Sequence, residues 1–175
     1  EEMNKDLTRL MKVADRFSKI GSETLLSPAN VNEVVGNSVM YFRTRIPRNV
    51  TLSYNGLAIA PVQAMINGAL FEWVVENLMK NSLDALQGQG EIDVRISDDL
   101  EWVYIDVKDT GKGIPKSNFK RIFEPGFTTK TRGWGLGLSL SRRIVEEYHK
   151  GRIYVVDSEP GRGTTIRIAL RRLYV

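Results

Sequence analysis

Apolar and polar positions alternate along this chain with two periods, and the changes of period mark its elements. Over residues 2–20, Leu7, Leu10, Met11, Ala14, Phe17 and Ile20 recur at helical spacing, with Lys5, Arg9, Lys12, Arg16 and Lys19 on the other face. This predicts a helix with a narrow apolar face that needs a partner helix, followed by a linker over 21–28. Asn30 and Glu33 resemble a capping box, and Val31, Val34, Val35, Ser38, Val39, Phe42 and Ile46 continue as a helical stripe. Val50–Tyr54 and Leu57–Val62, joined by Asn55-Gly56, predict a hairpin. The longest helix is predicted from about Asn67 to Gln87, with Leu70, Trp73, Val74, Leu78, Ala85 and Leu86 inward and Gly88-Gln-Gly90 as its stop.

Ile92, Val94 and Ile96 alternate as a half-buried strand, and 102–107 is expected to pair with it. Residues 109–133 show only a short turn near Phe119–Phe123. A stretch that long in a compact domain is usually functional, and it reads as a mobile lid. A helix over Leu136–Tyr148 is predicted to turn Leu138, Ile144, Val145 and Tyr148 inward. Ile153–Val156 and Thr165–Leu170 close the chain as strands around Pro160-Gly-Arg-Gly163. The order predicts a two-layer α/β sandwich, a mixed sheet with three helices on one face.

Composition narrows the chemistry. At 175 residues the chain is one full domain with a short appendage. It has no cysteine and one histidine, which excludes disulfides, thiolate metal sites and a histidine-rich metal centre. No apolar run approaches the roughly 18 residues of a membrane span and no signal peptide opens the chain, so it reads as soluble and compatible with a reducing cytoplasm. The net charge of +4 has a location: residues 109–133 hold six basic and two acidic residues, the same excess. A local basic loop beside glycines favours an anionic ligand, whereas nucleic acid calls for a broader stripe with interleaved aromatics.

Two glycine stretches flank that loop. Asp109-Thr-Gly111-Lys-Gly113 follows an apolar strand, which puts a buried carboxylate at a strand end, able to accept hydrogen bonds from an adenine amino edge. Gly133-Trp-Gly135-Leu-Gly137-Leu138 runs into a helix, where free backbone N–H groups could meet phosphates. On the long helix Asn77 and Asn81 lie one turn apart on nearly the same face. They either bond neighbouring backbone or form a polar ligand pair, with an amide oxygen able to coordinate Mg²⁺.

Taken in order, Asn77-Leu-Met-Lys-Asn81-Ser82, Asp109-x-Gly-x-Gly113, Phe119…Phe123-Glu-Pro-Gly-Phe127-Thr-Thr-Lys130, Gly133-x-Gly-x-Gly137-Leu and Gly161-x-Gly163-Thr-Thr165 resemble the N, G1, F, G2 and final glycine boxes of the ATP-binding domain of sensor histidine kinases, in the GHKL ATPase superfamily. The resemblance covers roughly residues 30–170. It implies the Bergerat-type sandwich, with 1–25 as the end of a dimerisation helix plus linker and 26–175 as the catalytic domain.

By motif position it implies that Asn81 holds Mg²⁺ with Asn77 lining the same site, that Asp109 binds the adenine amino group within a turn shaped by Gly111 and Gly113, and that Thr165 or Thr164 assists there. Gly133, Gly135, Gly137 and Leu138 would meet the phosphates, and Lys130 and Arg132 would neutralise the γ-phosphate, with Asn77 and Lys130 as the catalytic pair. Phe123 and Phe127 read as lid packing.

The implied cofactors are ATP and Mg²⁺. The implied partners are the protein's own dimerisation and phosphoacceptor domain, in a homodimer, and a response regulator; neither nucleic acid nor direct membrane contact is expected. The implied location is cytoplasmic, with membrane anchoring of a longer parent left open.

Two departures matter. His149, in Tyr148-His-Lys-Gly151, is no phosphoacceptor box and reads as a surface or helix-end residue, so the acceptor histidine is expected upstream of Glu1. Chaperone and repair relatives place a water-activating glutamate four residues before the Mg²⁺ asparagine. Here that position is Asn77, an amide that cannot act as a base, and Glu76 faces about 100° away. Hydrolysis is expected to be slow. The alternatives kept open are a slow ATPase, a serine-directed kinase of the anti-sigma type and a non-catalytic nucleotide-sensing module.

Overall fold

The computed structural model describes residues 25–57, 61–128 and 135–174; the predicted first helix lies outside them. Asn30 caps helix α1 (Val31–Arg43): its side chain accepts from Asn32 N–H and its amide donates to Glu33 at 3.2 Å. The predicted stripe turns inward, with Val31, Val35, Ser38, Val39 and Phe42 buried. Helix α2 (Gly68–Leu86) starts at Asn67, whose side chain accepts from Leu70 N–H, and ends at Gln87 in the left-handed region.

Five strands form the main sheet in the order β2 (Val50–Asn55), β4 (Gly90–Asp98), β5 (Trp102–Asp109), β7 (Gly163–Arg171) and β6 (Arg152–Glu159). β2 runs parallel to β4 and the remaining neighbours are antiparallel, so the sheet is mixed as expected. Alternate residues of β4, β5 and β7 (Ile92, Val94, Ile96; Val103, Ile105, Val107; Ile166, Ile168, Leu170) face one apolar core. α2 lies across β4, β5 and β7, α1 packs on α2 and β2, and helix α3 (Gly137–Arg143) packs on α2. α3 continues through a π turn, Ile144–Tyr148, onto β6. Each large side chain buried here contributes about 1.5–3 kcal/mol.

Two features differ from the sequence reading. Among the described residues the Asn55-Gly56 pair closes no hairpin: β2 pairs in parallel with β4 from Val50↔Gly90 to Asn55↔Arg95, and residues 58–60 of the predicted second strand lie outside those described. The chain beyond Asn55 is caught by α1 instead: Asn32 Nδ2 donates to Leu57 O and Leu57 N–H donates to Asn32 Oδ1, both at 3.0 Å. The expected linker also ends in a strand. β1 (Ser27–Asn30) pairs antiparallel with β3 (Gln63–Ile66) in a separate two-stranded ribbon, where Pro28 is tolerated.

The outer face of the main sheet is aromatic and cationic. The Trp102 ring lies beneath the guanidinium groups of Arg152 and Arg171, at 4.7 and 4.1 Å from its centre. Arg167 covers Tyr104 at 4.7 Å and grips Asp106 through two bonds of 2.7 Å.

Candidate functional site

The site forms where the ends of β5 and β7 meet α2. Asp109, the last residue of β5, is 5% exposed and stands opposite Thr164 of β7. Its Oδ1 accepts from Gly111 N–H at 2.8 Å, and the Ser82 hydroxyl on α2 and Thr164 N–H also donate to the carboxylate. Burial raises the Asp109 carboxyl above its ordinary value, and these three donors oppose the rise. A buried anion acceptor at a strand end is thus held ready for a further donor.

The turn after Asp109 is clamped on both sides. Lys112 N–H donates to Ala85 O of α2 at 3.0 Å, and Gly161 N–H donates to Lys112 O at 2.8 Å. Gly113 requires its residue type: its φ is +70°, and a Cβ there would lie 2.0 Å from Glu159 O. Ser158, buried in β6, ties the parts together. Its Oγ accepts from Ile114 N–H, donates to Gly163 O and meets Thr164 Oγ1, each at 2.8 Å. Ser158 belongs to none of the glycine or asparagine patterns; Ser82 closes the asparagine pattern, but the sequence assigns it no role.

Of the two threonines, Thr164 belongs to this cluster. Thr165 pairs with Lys108, on the opposite face of the sheet, so it stands away from Asp109. The strand alternation decides this, because neighbouring residues point to opposite faces.

Asn77 and Asn81 share one flank of α2. Asn77 Nδ2 donates to Ser141 Oγ of α3 at 2.9 Å. Asn81 is half-buried, with its amide nitrogen out of reach of solvent. It adjoins Ser82, which binds Asp109, so α2 brings the amide pair and the carboxylate together. No group of three or more His, Cys, Asp or Glu side chains gathers among the described residues. An all-carboxylate cage is therefore not available there, but an amide oxygen with phosphate oxygens suits Mg²⁺, which commonly takes one or two protein ligands.

Gly135 packs beside Gly126, whose N–H donates to Gly135 O at 3.1 Å, and Gly137 opens α3. Leu138 is half-buried against the apolar core. Phe123 is buried, and Phe127 packs on the core beneath the Arg121 guanidinium at 5.0 Å, which agrees with a packing role. Lys130, Arg132 and Gly133 lie outside the described residues.

His149 is not a surface residue. It is 5% exposed, its Nδ1 lies 2.9 Å from Ile144 O, and its Nε2 accepts from Asn67 N–H at 3.1 Å. Only the neutral ring with hydrogen on Nδ1 satisfies both contacts. Burial pushes its pKa below the ordinary value. The π turn turns the ring inward, where it joins the end of α3 to the start of α2, a contact that no local pattern announces.

A model of the family described as "Histidine kinase-, DNA gyrase B-, and HSP90-like ATPase" matches residues 67–173. Sporulation kinase A of Bacillus subtilis (strain 168) is 43% identical over 93 residues, 53% of this chain and 15% of its own length. Nitrogen regulation protein NtrY of Azorhizobium caulinodans is 30% identical over 172 residues, 91% of this chain and 21% of its own length. The chain therefore spans about a fifth or less of these two relatives. Among solved structures, the catalytic domain of histidine kinase ThkA superposes with a TM-score of 0.75 at 27% identity, covering 84% of this chain and 95% of that one. Histidine kinase ThkA in complex with response regulator protein TrrA shares the fold at a TM-score of 0.77 and 24% identity, covering 97% and 49%.

Proposed function

The chain belongs to the histidine kinase-, DNA gyrase B- and HSP90-like ATPases, in the form of the ATP-binding catalytic domain of sensor histidine kinases; from that premise we propose that it holds ATP·Mg²⁺ and delivers the γ-phosphate to a histidine on a partner segment. The observation that carries this reading is the buried Asp109 carboxylate, held by Gly111, Ser82 and Thr164 at a strand end. A planar group that offers an amino hydrogen there gains a charge-assisted bond. Gly111 and Gly113 shape the turn against which the adenine would lie.

Asn81 would hold Mg²⁺ through its amide oxygen, and the ion, when bound, would draw charge from the phosphate oxygens. Lys130, Arg132 and the glycines before α3 would take the remaining phosphate charge. In the transfer, the bond between the γ-phosphorus and its bridging oxygen breaks, a P–N bond forms at the acceptor histidine, and ADP leaves. The acceptor's proton goes to a base on the acceptor segment. This chain contributes orientation and charge neutralisation.

One finding favours transfer over hydrolysis, and a second bears on where the acceptor lies. The position that bears a water-activating glutamate in the ATPase relatives is Asn77, whose amide is bonded to Ser141. The single histidine of the chain is buried with both ring nitrogens engaged, so it cannot serve as acceptor without opening the α2–α3 contact. The acceptor therefore sits in another segment, which we assign to the protein's own dimerisation domain in a homodimer. A response regulator is the matching next partner, the class of protein with which ThkA was solved. No helix among the described residues is long and apolar enough to cross a membrane.

Calorimetric titration with a non-hydrolysable ATP analogue, with and without Mg²⁺, tests this beside an ATP turnover assay. Magnesium-dependent binding with negligible turnover is expected. Brisk turnover would move the chain toward the ATPase relatives, and no binding would end the reading.

A further inference from the structure

Gly137 has no backbone reason to be glycine. It is absent from the residues with positive φ and stands in the first turn of α3, where alanine is the better helix former. What excludes a side chain is Asn77: a Cβ on Gly137 would lie 2.7 Å from Asn77 Oδ1 and 3.1 Å from its Nδ2. One turn further along α3, the fully buried Ser141 accepts from Asn77 Nδ2 at 2.9 Å. Gly137 and Ser141 are four apart, so they share one face of α3 and form a notch filled by the Asn77 amide. The nitrogen is committed to Ser141 and the oxygen lies over Gly137.

We propose that Asn77 is a positioning residue, a polar key that sets where α3 sits along α2, and that Gly137 and Ser141 are its lock. The inference deepens the ATP-site reading and rests on it. Asn81 follows Asn77 by one helical turn, so the keyed amide ties the metal-holding position to the glycine run that leads into α3. α3 needs such a tie, because seven α-helical residues are too few to hold an axis alone. Its far end is secured separately, by His149 on the N–H of Asn67. The third glycine of the run thus serves the neighbouring helix, and Asn77 acts on the phosphates through α3.

A mutant cycle on the 175-residue chain distinguishes a key from a ligand contact. Gly137→Ala alone drives its Cβ into the amide and should weaken binding of Mg²⁺·AMP-PNP by about tenfold or more, while adenosine, which uses the Asp109 side, stays within about twofold. Asn77→Ala empties the notch, so the double variant Asn77→Ala/Gly137→Ala should bind as Asn77→Ala does, tighter than Gly137→Ala. Ser141→Ala, alone and combined with Asn77→Ala, should show the same lack of additivity. Additive losses in both cycles would mean that Asn77 touches the nucleotide directly, and would overturn the proposal. Equal loss of adenosine and triphosphate would overturn it too.

If the unaltered chain binds no adenine nucleotide, the ATP-site reading fails on its own. The key then remains testable by thermal unfolding. Gly137→Ala should lower the midpoint and Asn77→Ala/Gly137→Ala should bring it back to that of Asn77→Ala; a further drop in the double variant refutes the lock.

Discussion

Replacing Asp109 by asparagine separates binding from stability in a way that few changes in this domain can. The buried carboxylate accepts from Gly111, Ser82 and Thr164. Asparagine keeps one oxygen for Gly111 N–H but turns an NH₂ group toward a site built for a donor. An adenine amino group then meets a donor instead of a charged acceptor. Hydrogen bonds to charged groups contribute about 1.5–3 kcal/mol, so affinity for an ATP analogue should fall roughly 10- to 150-fold.

Stability should not follow. Because burial lifts the folded-state pKa of Asp109 above its unfolded value, its contribution is fully present below the unfolded pKa and is lost as pH rises through the folded one. Where it is ionised, the carboxylate is therefore a desolvation cost to the fold; the neutral amide removes that cost and gives up an acceptor for the remaining donors, two opposed effects that should leave the midpoint little changed. The assay is titration with adenine and inosine triphosphate analogues, alongside thermal unfolding of the empty chain. The expected result is loss of the adenine preference, with inosine, which offers a carbonyl at the same edge, bound at least as well as adenine. Equal loss for both nucleotides, or loss of binding in step with a fall of the unfolding midpoint, would refute the reasoning.

Three other outcomes are expected. Asn81→Ala should abolish the magnesium-dependent part of nucleotide binding without unfolding the domain, and an unchanged magnesium increment in calorimetry removes the metal assignment. His149 has a folded-state pKa below its unfolded value, so the stability it confers is present above about 6.5 and is lost as pH falls below it; the urea midpoint should drop between pH 7.5 and 5.5, and His149→Gln should flatten that slope. Asn32→Ala strips two bonds from Leu57 and should cost about 2 kcal/mol, or roughly 4–8 °C in the unfolding midpoint; an unshifted midpoint would show that another group catches the chain after β2.

What could be read in advance was local, and what could not was set by distant neighbours. The boundaries of α2 were legible because Asn67 and Gly88 carry cap and stop chemistry in the chain itself. Phe71, Val75 and Met79 were not, because a single apolar stripe describes a helix buried on one side, and α2 is covered by the sheet, α1 and α3 together. The Asn55-Gly56 signal had a competitor in Asn32, which sits 25 residues before the Leu57 it binds. The site divided the same way. Asp109 and the glycines stood out by type and spacing, whereas Ser82, Ser141 and Ser158 are small polar residues whose role exists only once three elements meet. The choice between Thr164 and Thr165 needed the register of β7 on β5.

The guanidinium-covered rings on the outside of the sheet have a consequence for crowding. A bare row of Trp102 and Tyr104 would be an adhesive patch, the kind of surface on which copies of a chain cluster. Here Arg152, Arg171 and Arg167 lie over those rings and carry water with them. Two domains pressed face to face must strip that hydrated charge before ring can touch ring. That face of the sheet is therefore less adhesive than its ring content alone would make it.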